Sequence, residues 1–225
     1  MPKHQVIRDV GRSLAAVLQA ELAACKTKGK VFLGTPSPEA LKKAAPCIAL
    51  YLYDVRPWHD VRKNEKWHLE EEITGDDGER YVVRYGRPLD LSLHYLITAA
   101  ADDIADEHEL LAVGMKAFLD TPRIEAEQLQ GDSFLKGESL PIDIDDSWTQ
   151  ATSASVFSSF GAGPRVAVGY RAQARLASGK ELGRSKRVRE RLIDVFDPLR
   201  PPPGSVSAKE LGLEAKPPRI VASKK

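Results

Sequence analysis

No stretch of this sequence approaches the ~18 consecutive apolar residues that a membrane-spanning helix requires, and its first thirty residues lack the short apolar core and small-residue cleavage site of a secretory leader. The expectation is a chain that stays in the compartment where it is made. An excess of charge is missing too. The 33 lysines and arginines stand against 32 aspartates and glutamates, so no whole-molecule field gathers nucleic acid or an anionic membrane, and a charged partner must be met by a local patch. Cysteine is nearly absent. Cys25 and Cys47 read as small buried hydrophobes, because a chain of 225 residues is long enough for a sizeable core without a covalent staple.

What is present is periodicity. Ile7, Val10, Leu14, Val17, Leu18, Leu22 and Cys25 recur at spacings of three and four, which predicts an amphipathic helix ending near Lys28 and Gly29. Val31 to Leu33 is a short apolar run, and Ser37 to Ala45, with Pro38 in its first turn, predicts a helical turn or two. Ile48 to Val55 is apolar on both faces, with Tyr51, Tyr53 and Val55 on one of them, so it predicts a central strand. Trp67 to Ile73 and Arg80 to Tyr85 flank Gly75-Asp76-Asp77-Gly78, a hairpin signal that gives a protruding hairpin at about residues 64–86. Leu89, Leu91, Leu93, Tyr95 and Ile97 alternate with Asp90, Ser92, His94, Leu96 and Thr98, predicting a strand with one core face. Asp102, Asp103, Asp106 and Glu107 cap a following helix whose buried line reads Ile104, His108, Leu111, Met115 and Phe118, closed by Pro122.

Further along, Ile142 and Ile144 suggest a short strand, and the segment from Trp148 to Phe160 a helix. Arg165 to Leu176 and Lys186 to Phe196 read as strands joined through Ser178-Gly179-Lys180. The proline cluster at 201–203 opens an extended arm. The fold class is α+β: a mixed, mainly antiparallel sheet packed by an N-terminal and a central helix. One domain over 1–197 is followed by the arm over 198–225.

Chemical signatures are scarce. Gly131-Asp132-Ser133 has the letters of a small-esterase nucleophile block, but there the base histidine follows the serine, and His108 is the last histidine of this chain. His4, His59, His68, His94 and His108 include no pair at ligand spacing, so no metal is expected; His108 reads as packed on its helix. Asp143, Asp145 and Asp146 lack the spacing of a calcium loop and read as helix-capping acids. Glu70, Glu71 and Glu72 alternate faces and read as a solvated edge. Gly161-Ala162-Gly163-Pro164 is a turn without a phosphate-loop fingerprint. The reading is a structural protein with no catalytic residue, cofactor or metal. Arg184, Lys186, Arg187, Arg189 and Arg191 form the one dense basic stretch; without interleaved aromatics it reads as a partner-facing edge, not a nucleic-acid site. Arg184, Lys186, Arg187, Arg189 and Arg191 are therefore interface candidates, together with Trp67, Arg87 and Trp148. The alternatives weighed are a hydrolase acting through Ser133 and a nucleic-acid module using residues 184–191.

The block Pro88-Leu-Asp-Leu-Ser-Leu-His-Tyr-Leu-Ile-Thr-Ala-Ala100, followed by Glu109-Leu-Leu-Ala-Val-Gly-Met-Lys-Ala-Phe-Leu-Asp-Thr-Pro122, resembles the tail-terminator, or cap, family of contractile phage-tail-like injection systems. Ala112 stands where that family often has glycine. The resemblance extends through the N-terminal helix, through Leu50 to Val55 with Arg62-Lys-Asn64, and through Trp148 to the run Arg165 to Ala172, covering most of the first 195 residues. It departs at the hairpin near Gly75 to Gly78 and at Trp148, where Leu-Trp-Ser is replaced by Ser-Trp-Thr. What the resemblance implies is a homo-oligomeric ring, hexameric in that family, seated on inner tube and sheath proteins. Such a ring ends their growth and seals a particle assembled in the cytoplasm. A sheath-to-anchor adaptor of the same apparatus is the variant reading. No nucleic acid and no membrane insertion are expected.

Overall fold

A computed structural model of the chain describes residues 4–58, 69–75 and 78–186. The expectations for Trp67, His59, His68, Arg187, Arg189, Arg191 and the arm over 198–225 lie outside these residues. Helix α1 (Val6–Ala24) buries the stripe that its periodicity marks: Val6, Val10, Leu14, Leu18 and Leu22 are each at most 1% exposed, because steps of four fall on one face of a 3.6-residue repeat. Cys25, at its C-terminal cap, is exposed and Cys47 is buried, correcting the expectation of two buried thiols. Strand β1 (Lys30–Leu33) runs parallel to β2 (Cys47–Pro57). Between them lies α2 (Pro38–Ala44), opened by the Ser37 hydroxyl accepting the Ala40 N–H.

The other strands of the main sheet are antiparallel. β5 (Leu89–Ala100), β6 (Arg123–Ile124), β7 (Leu140–Ile144) and β8 (Ala167–Leu176) complete the order β1-β2-β5-β8-β7-β6. Helices α1 and α3 (Ile104–Asp120) pack on one face over Ile48, Leu50, Leu93, Tyr95, Ile97 and Ala172, the mixed α+β architecture expected. Leu41 and Ala44 of α2 cover Cys47, Ala49 and Ala100 in a second cluster. β5 is buried on both sides from Leu91 to Ala100, where alternation had marked one core face. A bulge between Leu52 and Asp54 corrects the shared face of Tyr51, Tyr53 and Val55: Tyr51 lies opposite Leu96 but Val55 lies opposite Leu93, because the extra residue flips the alternation.

The buried line of α3 is also corrected. Leu110, Leu111, Val113, Gly114, Ala117 and Phe118 are buried, whereas Ile104 and Met115 are 68% and 43% exposed and His108 is exposed. A Cβ at Gly114 would lie 3.2 Å from Ile97 and 3.5 Å from Ile48, so the helix settles onto the sheet along its bare position and the Ile104 side turns outward. Asp103 occupies the N-cap position without a side-chain cap bond, and Glu107 instead accepts the Ala101 N–H.

A second sheet, ordered β3-β4-β9, comprises β3 (Leu69–Thr74), β4 (Arg80–Tyr85) and β9 (Glu181–Lys186). β9 ends at Lys186, where the expected strand Lys186–Phe196 begins; the rest of that expectation lies outside the described residues. The β4-to-β5 run lies beside the β8-to-β9 run, the ladder being interrupted at residues 86–88 and 177–180. Leu89 faces Leu176, the Gly86 N–H donates to the Lys180 carbonyl across the break, and Arg84 faces Gly183. One two-stranded ribbon thus belongs to both sheets. Where β8 passes Trp148, a Cβ on Gly169 would sit 2.4 Å from the Trp148 Cβ. Gly169→Ala should therefore lower stability by about 1–3 kcal/mol, read as a lower urea midpoint; an unchanged midpoint would show that Trp148 yields freely.

α4 (Gln150–Ser159) buries only Phe157 among its own residues, consistent with its serine- and threonine-rich composition.

Candidate functional site

Two buried polar clusters and one exposed charged sheet hold the groups of chemical interest. The first cluster pins a loop to α1. Ser133, the candidate nucleophile, is buried and donates its hydroxyl to the Asp9 Oδ2 at 2.7 Å. Asp9 also accepts from Arg8 at 2.9 Å, while the Ser13 hydroxyl donates to the Asp9 carbonyl and accepts the Gln130 N–H. Burial alone would raise the Asp9 pKa; the Ser133 and Arg8 bonds, with Arg12 nearby, outweigh it and hold the carboxyl below its usual range. A serine donating to a buried carboxylate without an intervening histidine has no base to activate it, so the hydrolase reading through Ser133 has no support in this geometry.

The second cluster lies on the opposite side of β5, and sequence reasoning missed it. Ser92 and His94 are two apart on the strand and share a face. Ser92 Oγ is 3.1 Å from His94 Nε2, and His94 Nδ1 is 2.5 Å from Asp145 Oδ2. Asp145 also accepts the Tyr53 hydroxyl, the Ser147 N–H at 2.9 Å and the Ser147 hydroxyl at 2.7 Å. The capping role expected of Asp145 is thereby corrected: it is a buried hub, and Thr149 caps α4 by accepting the Thr152 N–H. Burial opposes its ionisation, but the bonds from Tyr53, His94 and Ser147 outweigh it and set the carboxyl far below the usual range. Burial, reinforced by Asp145, pushes the Tyr53 phenol well up. Serine, histidine and carboxylate stand in the order of a hydrolytic relay. Ser92, however, is 5% exposed, and the carboxylate is spent on three partners, so the cluster locks β2, β5 and the 145–148 turn together. The only hint in the sequence was the polar face of β5.

The interface candidates separate. Trp148 works inside the subunit: its Nε1 donates to the Ala167 carbonyl at 3.0 Å and its ring lies 5.0 Å from that of Tyr53. Arg87 is exposed. Arg184 and Lys186 lie on β9, whose six residues are all exposed, each with its cation 5.9 Å from the centre of the Tyr81 ring. Across the sheet, Glu70, Glu71 and Glu72 of β3 are exposed, and Arg84 bonds Glu70 at 2.9 Å. Among the described residues no three His, Cys, Asp or Glu side chains converge to hold a metal, and no helix is long and apolar enough to cross a membrane.

Among the described residues the two polar clusters serve packing, and the small charged sheet has exposed outer strands. Residues 9–190 match the family model of the Pvc16 N-terminal domain, and the chain belongs to that family. Its fold is similar to two solved structures. One is described as the sheath/tube terminator, in the extended state, of an extracellular contractile injection system, PVC (TM-score 0.54, 14% identity, 91% of this chain covered). The other is the tube-terminating cap of the anti-feeding prophage (TM-score 0.52, 14% identity, 83% covered). The chain spans 66% and 60% of the length of these two relatives. No curated protein sequence matches significantly. The resemblance to tail terminators drawn from Pro88 to Pro122 is thus upheld.

Proposed function

We propose that this protein is the terminator of a contractile injection particle: a hexameric ring that docks on the last layer of inner tube and sheath, stops their growth and seals the particle. The observation that carries the reading is the match over residues 9–190 to the family, joined by the fold shared with two terminators. In this reading residues 1–197 form the ring body and 198–225 an arm. Arg87, Arg184 and Lys186, with Trp67, Arg187, Arg189 and Arg191, face partners. Assembly takes place in the cytoplasm, before the particle is released or retained.

Deleting the gene in an otherwise intact system tests it. Electron microscopy should show tubes and sheaths of uncontrolled length, or none. Normal particles of normal length would refute the proposal.

A further inference from the structure

Among the described residues the small sheet ends on both sides in an exposed strand, and the two ends carry opposite charge. β3 presents Glu70, Glu71 and Glu72; β9 presents Arg184 and Lys186 against the single Glu181. An outer strand is a template for pairing with another chain. Two copies of β3 brought together would oppose glutamates to glutamates, and two copies of β9 would oppose cations to cations, an arrangement that directly facing strands disfavour. β9 against β3 is the combination in which the charges agree.

The register sharpens this. Glu71 lies opposite Val83, which lies opposite Arg184, and Ile73 lies opposite Tyr81, which lies opposite Lys186. Glu71, Arg184 and Lys186 therefore project from one face of the sheet. Both outer strands are antiparallel to β4, so they run in the same direction, and a copy repeated head to tail brings them together in parallel.

We infer that β9 of one copy pairs in parallel with β3 of a second copy, with Glu71 of the second alongside Arg184 and Lys186 of the first. The inference rests on the ring reading and deepens it. A contact between two different edges repeats in one sense and closes into a ring, whereas a contact of one edge with itself stops at a dimer.

Cysteine pairing tests it directly. Within one chain β3 and β9 are separated by β4, about 9–10 Å apart at the usual strand spacing, beyond the ~7 Å Cα separation that a disulfide spans. Glu71→Cys with Arg184→Cys, in a background where the exposed Cys25 is changed to serine, can therefore link only different copies. Oxidised particles should yield a reducible ladder on a non-reducing gel, ending at a closed-ring species. Glu71→Cys with Ser185→Cys, on opposite faces, should link at least tenfold less. A second arm uses charge: Arg184→Glu with Lys186→Glu should abolish the ring, and adding Glu71→Lys with Glu72→Lys in the same chain should restore it.

Rings seen by microscopy without the ladder would overturn the pairing and leave the ring reading standing. Cross-links to the sheath protein alone would overturn it in favour of a sheath strand on β9. Particles lacking any ring of this protein would overturn both.

Discussion

Replacing Asp145 by alanine should destabilise the subunit by about 3–5 kcal/mol, the range for removing one partner of a buried charged network. The Tyr53 hydroxyl, the His94 Nδ1 and the Ser147 hydroxyl would lose their common acceptor, and His94, itself 4% exposed, would be left with a buried ring nitrogen unpaired. Domains of this size are stable by only ~5–15 kcal/mol, so the variant should unfold at much lower urea. A loss under about 1 kcal/mol would show that the cluster is incidental. The wild type carries the same information in its pH dependence. The folded-state pKa of Asp145 lies below that of an unfolded aspartate, about 3.9. Its ionised form therefore contributes fully above about pH 4, and that contribution is lost as pH falls through the folded value. Asp9 acts in the same direction. Stability should decline from pH 5 toward pH 3, and less steeply in Asp145→Ala.

Gly131→Ala should be nearly as damaging. Its φ of 106° lies where L side chains are rarely found, and a Cβ would sit 2.4 Å from the Asp9 carboxylate. Backbone strain and overpacking together predict a loss of about 2–5 kcal/mol. The methyl group would push Asp9 away from Ser133, so the effect should exceed that of Ser133→Ala, which removes one hydrogen bond and leaves the loop in place. Thermal melts of the two variants decide the matter, and equal losses would contradict the steric account.

Much of the scaffold was legible because local periodicity and global packing agree in it. Val10, Leu14, Leu18 and Leu22 are buried where their spacing says, and Leu91, Leu93, Tyr95 and Ile97 lie in the core as their period of two predicts. What escaped depended on contacts distant in sequence. Nothing near Ser92 or His94 shows that residues 145–148 will fold over them, so a polar face that reads as solvated is buried. The exposure of Ile104 and Met115 has the same origin: helical spacing permits more than one buried line, and Gly114 selects between them by where the helix can approach. The bulge at Tyr53 leaves no mark in composition. The charged edges of the small sheet were visible as residues, Glu70 to Glu72 and Arg184 with Lys186, but their position as the two outer strands of one sheet required the topology.

The ribbon shared by the two sheets also bears on mechanical load. A pull on the small sheet along the strands is passed directly to the main sheet by two covalently continuous runs, Arg80 to Ala100 and Ala167 to Lys186. Ten facing residue pairs between β5 and β8 share that load along the ladder.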